Sequence, residues 1–226
     1  MSFLRLSLVI AAKDLRSEFR TKEALNASLS FSVVILLLFS FAFDPTSDMT
    51  REISGGLLWL AFAFAGALIL NRSFARELNN DCLDALISSP ASGAALFLGK
   101  ALASFVLLLL VEAVSLPVFG IFYNVRWSSQ LGWLAAVMLL ATWGITVVGT
   151  MFSALTVNLR LRELMLPALV YPMMIPALMS AMQLTTVLLA GEAVAGGNLV
   201  WLRLLIGFDI IFTALSLALV ETVLVG

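Results

Sequence analysis

The chain has 226 residues, 62% of them apolar and 12% charged, with a mean hydropathy of +1.07. A soluble domain of that size would lack the polar surface to cover itself, so the composition describes a polytopic membrane protein. A formal net charge of -1 gives no phosphate-binding excess of Lys and Arg. The lack of any histidine and the single Cys82 exclude a His-based metal site, a Ser-His or Cys-His catalytic pair and a disulfide within the chain.

In chain order, Phe3 to Lys22 reads as an N-terminal amphipathic interfacial helix rather than a span. Leu4, Leu8, Ala11, Ala12, Leu15 and Phe19 form an apolar stripe, and Lys13, Asp14, Arg16, Glu18 and Arg20 hold the other side. The expected element is residues 1–23 lying flat on the headgroups. With charges throughout this segment and no small-residue cleavage site, no signal peptide is expected.

Six transmembrane helices follow, at about 25–43, 53–70, 101–123, 131–157, 164–190 and 199–225, each long enough to cross about 30 Å of hydrocarbon. The second span carries Ala61, Ala63, Ala65 and Ala67 at spacings that let another helix approach closely. In the fifth, Pro167, Pro172 and Pro176 interrupt a Met-rich run. That segment is expected to be kinked and buried inside the bundle, with part of 183–197 dipping back. The fold class is all-α, one transmembrane domain over 1–226.

Between spans two and three lies a polar stretch, 71–90. Phe74, Leu78, Cys82, Ala85 and Leu86 recur at helical spacing, with Arg76, Glu77, Asn80, Asp81 and Asp84 elsewhere round the wheel. Ser88, Ser89 and Pro90 end this short surface helix, which offers a handle to a soluble partner. Ten of the 13 Lys and Arg fall before span one, in the 71–100 segment or between spans four and five, against Arg51, Arg126 and Arg203 on the other side. The positive-inside rule then places both termini and the handle in the cytoplasm.

Other candidate sites are few. Gly93 to Lys100 resembles a phosphate loop superficially. Its glycines stand one residue too far apart, no Ser or Thr follows the lysine and no strand precedes it, so it marks the cytoplasmic end of span three. Two asparagine sequons, at Asn26 and Asn71, lie at cytoplasmic membrane edges and carry no meaning. Glu112 and Asp209 each stand roughly ten residues inside a span, near the midplane at about 1.5 Å per residue. A charge there costs on the order of 3 kcal/mol. Each is either a neutral acid hydrogen-bonded to a threonine of span four, or part of a polar path or a subunit interface.

Several stretches together, namely Ala12 to Arg20, Gly56-Leu57-Leu58-Trp59, Asn71 to Glu77, Leu83 to Pro90 and Gly99-Lys100, resemble the haem exporter protein B family. That family supplies the permease subunit of the ABC-type apparatus for c-type cytochrome maturation, within the wider ABC-2-type exporters. The chain departs from its pattern at Asn79 to Cys82, where a glycine is expected. The resemblance implies that two copies of this chain pair with a separate P-loop ATPase, which binds ATP-Mg. It implies that Arg72, Phe74, Glu77, Leu78, Asp81 and Asp84 form a cytoplasmic coupling helix seated in a groove of that ATPase, with Lys13, Asp14, Arg16, Glu18 and Arg20 beside it.

It further implies a haem-handling membrane protein, a small single-span subunit and a periplasmic haem chaperone as partners, in the bacterial inner membrane. No cofactor and no metal is expected on this chain, which is not itself an enzyme, and haem is the cargo of the complex. The work done is either haem export across the bilayer or release of haem-loaded chaperone, and the absence of histidine favours release. The other readings are a generic ABC-2-type exporter of a lipid, glycan or drug, and a secondary transporter relying on Glu112 and Asp209.

Overall fold

Apolar stretches of about 20 residues leave their backbone polar groups no partner in lipid except their own, so they form helices. The computed structural model describes residues 3–44, 47–75, 77, 92–125, 130–157, 159 and 161–225. Among them are seven α-helices: α1 (Phe3–Thr21), α2 (Glu23–Ala42), α3 (Asp48–Ser73), α4 (Gly93–Phe122), α5 (Leu131–Thr156), α6 (Arg162–Leu189) and α7 (Leu199–Val225). A short 3-10 turn, Gly196–Asn198, leads into the last. Helices α2 to α7 are each long and apolar enough to span a membrane.

Caps set two of the starts. Ser47 Oγ accepts from the Thr50 amide at 3.2 Å to begin α3, and Ser92 Oγ accepts from the Ala95 amide at 3.3 Å to begin α4. That second cap explains why α4 starts at Gly93, eight residues ahead of the span expected from 101. The glycine and alanines of 93–99 continue the helix instead of forming a loop.

Helix α1 packs along α4, α2 pairs with α3, and α6 lies between α3 and α5, with α7 against α5 and α6. Small residues sit at these contacts, as membrane helix packing requires where lipid removes the hydrophobic drive. Ala61 and Ala65 of α3 are fully buried. A Cβ on Gly99 of α4 would stand 2.7 Å from Ile10 Cβ and 2.8 Å from the Ser7 carbonyl, so α1 touches α4 backbone to backbone there. Hydrogen bonds tie the spans: Trp59 Nε1 donates to Thr185 Oγ1 at 2.9 Å, Tyr123 to the Leu36 carbonyl at 3.1 Å, and Ser153 to the Leu70 carbonyl at 2.9 Å.

The proline-rich segment is neither buried throughout nor turned back. It is one continuous helix with Pro167, Pro172 and Pro176 inside it. Leu166, Val170, Met174, Ala177, Ala181 and Leu184 form its buried stripe, while Pro172 and Pro176 share the outward face with Met173, Ile175 and Met179. Each proline removes only one amide, and the regular stripe packed on α3 and α5 holds the remaining turns together.

Candidate functional site

Among the described residues, the interior ion pairs gather where the middle of α1 meets the end of α3 and the first turns of α4. Lys100, one residue after the glycine that lets α1 approach, is only 1% exposed. Its Nζ donates to the Ser73 carbonyl at 2.7 Å, to Glu77 Oε1 at 3.1 Å and to Asp14 Oδ2 at 3.2 Å, and lies 5.0 Å from the centre of the Phe74 ring. The Ser73 carbonyl is one of those that the end of α3 leaves without a helical partner, so the ammonium both caps α3 and meets the negative end of its dipole. Lys13 of α1 completes the group, reaching Glu77 Oε1 at 2.7 Å and Asp14 Oδ1 at 3.2 Å. Two cations and two carboxylates therefore neutralise one another across three helices.

Electrostatics favour the charged forms of Glu77 and Lys13. Burial acts first to raise the Glu77 carboxyl, but the Lys100 charge and the hydrogen bonds from Lys13 and Lys100 outweigh it and hold it below its ordinary value. For Lys13 burial acts first to lower the pKa. The hydrogen bond to Glu77 and the charges of Asp14 and Glu77 outweigh that and raise it.

Helix α2 is tied to α1 through Glu18 and to α3 through Glu23, beside the cluster. The buried Glu18 Oε1 accepts from the Leu25 amide at 2.9 Å, in the first turn of α2. Lys22 alone separates α1 from α2, in a left-handed conformation at φ 57°. Glu23, at the positive end of α2, pairs with Arg72, at the negative end of α3. Between these groups a cleft of about 30 Å³, lined by Asp14, Glu18, Arg72, Ser73, Glu77 and Lys100, has room for one water molecule.

The sequence-derived residues distribute unevenly over this site. Arg72 lies at its exposed margin. Phe74 is 0% exposed and packs with Ile10, Leu96, Ala154 and Val157, and Glu77 is buried in the ion cluster. Both side chains face inward and grip the start of the 71–90 segment from inside the chain. Leu78, Asp81 and Asp84 lie outside the described residues.

On α1, Asp14 and Glu18 turn inward, away from Arg16 and Arg20, which stay exposed. The packed face, Ser7, Ile10, Ala11, Asp14 and Glu18, stands about a quarter turn from the exposed apolar stripe of Leu4, Leu8 and Phe19. The helix thus has three faces, where the two-sided reading had two. Gly99 and Lys100 enter the sequence reading only as a family-like pair marking the end of span three, and Glu23 and the Ser73 carbonyl do not enter it. The Gly-Lys pair was the available signal, a close-approach residue followed by a cation.

Deep in the bundle, Glu112 is fully buried and its Oε1 accepts from Thr142 Oγ1 at 2.6 Å, while Oε2 has no hydrogen-bond partner among the described residues. The threonine of the fourth span expected beside a buried acid is therefore Thr142. Asp209 meets no such donor, and neither of its oxygens has a partner among the described residues. No group of three His, Cys, Asp or Glu side chains placed to hold a metal occurs among the described residues.

Comparison with known proteins fits this architecture. The haem exporter protein B of Rhodobacter capsulatus is 31% identical over 175 residues, 77% of this chain and 80% of that one. The protein of the same name from Paracoccus denitrificans is 31% identical over 166 residues, 74% and 76% of the two chains. That of Pseudomonas aeruginosa is 28% identical over 210 residues, 93% of each. The model of the CcmB protein family matches residues 5–223, nearly the whole membrane domain with its ion cluster, and the chain belongs to that family.

Proposed function

We propose that the chain is the membrane permease subunit of an ABC-type haem export system serving c-type cytochrome biogenesis, in the bacterial inner membrane with both termini cytoplasmic. The family and the names of its relatives support the system, and the excess of Lys and Arg at the end bearing α1 supports the orientation. ATP-Mg binds and is hydrolysed on a separate P-loop ATPase, and this chain converts that motion into movement of the spans. A second copy of the chain, a haem-handling membrane protein, a small single-span subunit and a periplasmic haem chaperone complete the complex.

The observation that carries the coupling role is the Lys100 cluster. Glu77 sits at the head of the 71–90 segment and bonds to α4 through Lys100 and to α1 through Lys13. A push on that segment by the ATPase reaches α1 and α4 together, because both lysines bond the same carboxylate oxygen. Phe74, seated beneath α1, prevents the segment from sliding without them. With no histidine to ligate haem iron in this chain, we place the work on release of haem-loaded chaperone rather than passage of haem through the bundle.

Replacing Glu77 with Gln tests the reading. The isostere keeps shape and one hydrogen bond but removes the charge that both lysines share. Membrane levels and co-purification of the ATPase are expected to persist, while holocytochrome c falls at least about tenfold, the equivalent of roughly 1.4 kcal/mol of lost coupling. Wild-type holocytochrome levels in Glu77→Gln and in the harsher Glu77→Lys, with the proteins present, would remove the coupling role.

A further inference from the structure

A cleft of about 650 Å³ opens on the flank of the bundle between α4, α5 and α7, walled by Phe105, Leu139, Trp143, Ile206 and Ile210. Its rim faces outward, Ile210 being 65% exposed. Its lining holds one charged group, Asp209, about 15 Å along α7 from Leu199 and so at mid-span depth. The residue is only 6% exposed, and both carboxylate oxygens are buried without a hydrogen-bond partner among the described residues.

The surroundings hold the acid in place without satisfying it. A Cβ on Gly144 would stand 2.6 Å from Asp209 Oδ1, so that glycine makes room for the carboxylate against α5. The adjacent indole is committed elsewhere: Trp143 Nε1 donates to Thr213 Oγ1 at 3.0 Å, one turn beyond Asp209. Phe105 meets the Trp143 ring edge-on with centroids 5.5 Å apart, giving the cleft an aromatic wall.

An unpaired acid at this depth is costly, and intramembrane carboxylates ordinarily have a partner. Among the described residues no cation pairs with it. The nearest along α7, Arg203, is exposed and about 9 Å closer to the end of the helix. Two copies related by a two-fold axis normal to the membrane bring like depths together, and the spans of this chain carry no lysine or arginine at mid-depth for a second copy to offer.

We propose that this cleft seats a transmembrane helix of a different membrane polypeptide, one that carries a lysine or arginine at mid-span to pair with Asp209. The aromatic wall suits such a residue, its apolar stem against Phe105 and its cation beside the indole face. This proposal is independent of the coupling role of the Lys100 cluster, which lies at the end of the bundle.

The test is a photo-crosslinking amino acid in place of Ile210, in the full chain in its own membranes, with the crosslinked peptide identified by mass spectrometry. The expected product joins Ile210 to a spanning segment of another polypeptide with Lys or Arg in its middle turns. Asp209→Lys is expected to lower its yield by about tenfold. Exchanging the partner's basic residue for Asp is expected to restore it. Adducts only to lipid or to a second copy would overturn the proposal, as would a segment lacking a basic residue, an unchanged yield in Asp209→Lys, or no restoration by the reciprocal exchange. Should Asp209→Lys fail to accumulate, the isosteric Asp209→Asn still decides, since an unchanged yield there also overturns it. ATPase co-purification, read in parallel, separates this outcome from failure of the coupling role.

Discussion

Lys100 shows how one side chain can define a site that its neighbours in sequence do not. It serves Asp14, Ser73 and Glu77 at once, and the charge is almost wholly shielded from water. Removing one partner of a buried ionic group is worse than never having built it, because the others are left charged and unsatisfied. Lys100→Met is therefore expected to cost about 3 kcal/mol, read as a lowered melting temperature of the detergent-purified protein. The pH dependence follows from the shifts at the same cluster. Glu77 is depressed below 4.5 when folded, so its contribution is present above that value and lost as pH falls through the folded pKa. Lys13 is raised above 10.5, so its contribution is present below that value and lost as pH rises through the folded pKa. The melting temperature difference between wild type and Glu77→Gln is expected to stay level from about pH 6 to about pH 9 and to shrink on acidification below Glu77's ordinary value. This site was only half legible in the sequence. Glu77 and Asp14 announced themselves as charges at a membrane edge, but the partner they share is 23 residues from one and 86 from the other. No periodicity within a single element reports a pairing of that kind.

At the scale of elements, the closely packed glycines separate into those that meet backbone and those that meet only movable side chains. Gly99 would drive a Cβ into Ile10 and the Ser7 carbonyl at 2.7 and 2.8 Å, whereas Gly66 would meet only methyl groups of Ile145 and Leu108 at 3.3 Å. Gly99→Ala is expected to destabilise by about 1–3 kcal/mol and to loosen α1, and Gly66→Ala to cost less than Gly99→Ala. Thiol labelling of a cysteine placed at the buried Ser7, in a Cys82→Ser background, checks the first. Labelling that does not rise in Gly99→Ala would deny the tight seat of α1. The spans were legible because about 20 apolar residues can do little else in a bilayer. Helix α6 was not, because counting prolines says how many hydrogen bonds are lost but not which face the rings occupy. With Pro172 and Pro176 turned outward, the buried stripe keeps its helical period. The start of α4 was missed for the opposite reason, since the cap at Ser92 is a single residue ahead of what reads as a loop.

For the whole molecule, the two deep acids are now distinguishable. Glu112 already has a donor within the bundle, Thr142, and Gln can accept from that hydroxyl equally well. Glu112→Gln is expected to leave both melting temperature and holocytochrome yield near wild type, and a loss of yield at normal protein level would assign the carboxylic acid a role in transport. Asp209 lines the cleft on the flank, and neither of its oxygens has a hydrogen-bond partner among the described residues. The length of α4 has a different consequence. Thirty residues at about 1.5 Å each make a rod of about 45 Å, longer than the roughly 30 Å of hydrocarbon it crosses. Its overhanging first turns are nonetheless apolar, and α1 lies along them, with Ile10 against Leu96 and Phe74. A chain deprived of residues 3–21 would show that greasy stub to the water, the sort of degenerate surface that membrane proteases and chaperones survey. Its fate would be clearance before assembly, so the amount of protein, more than its activity, would report the loss of α1.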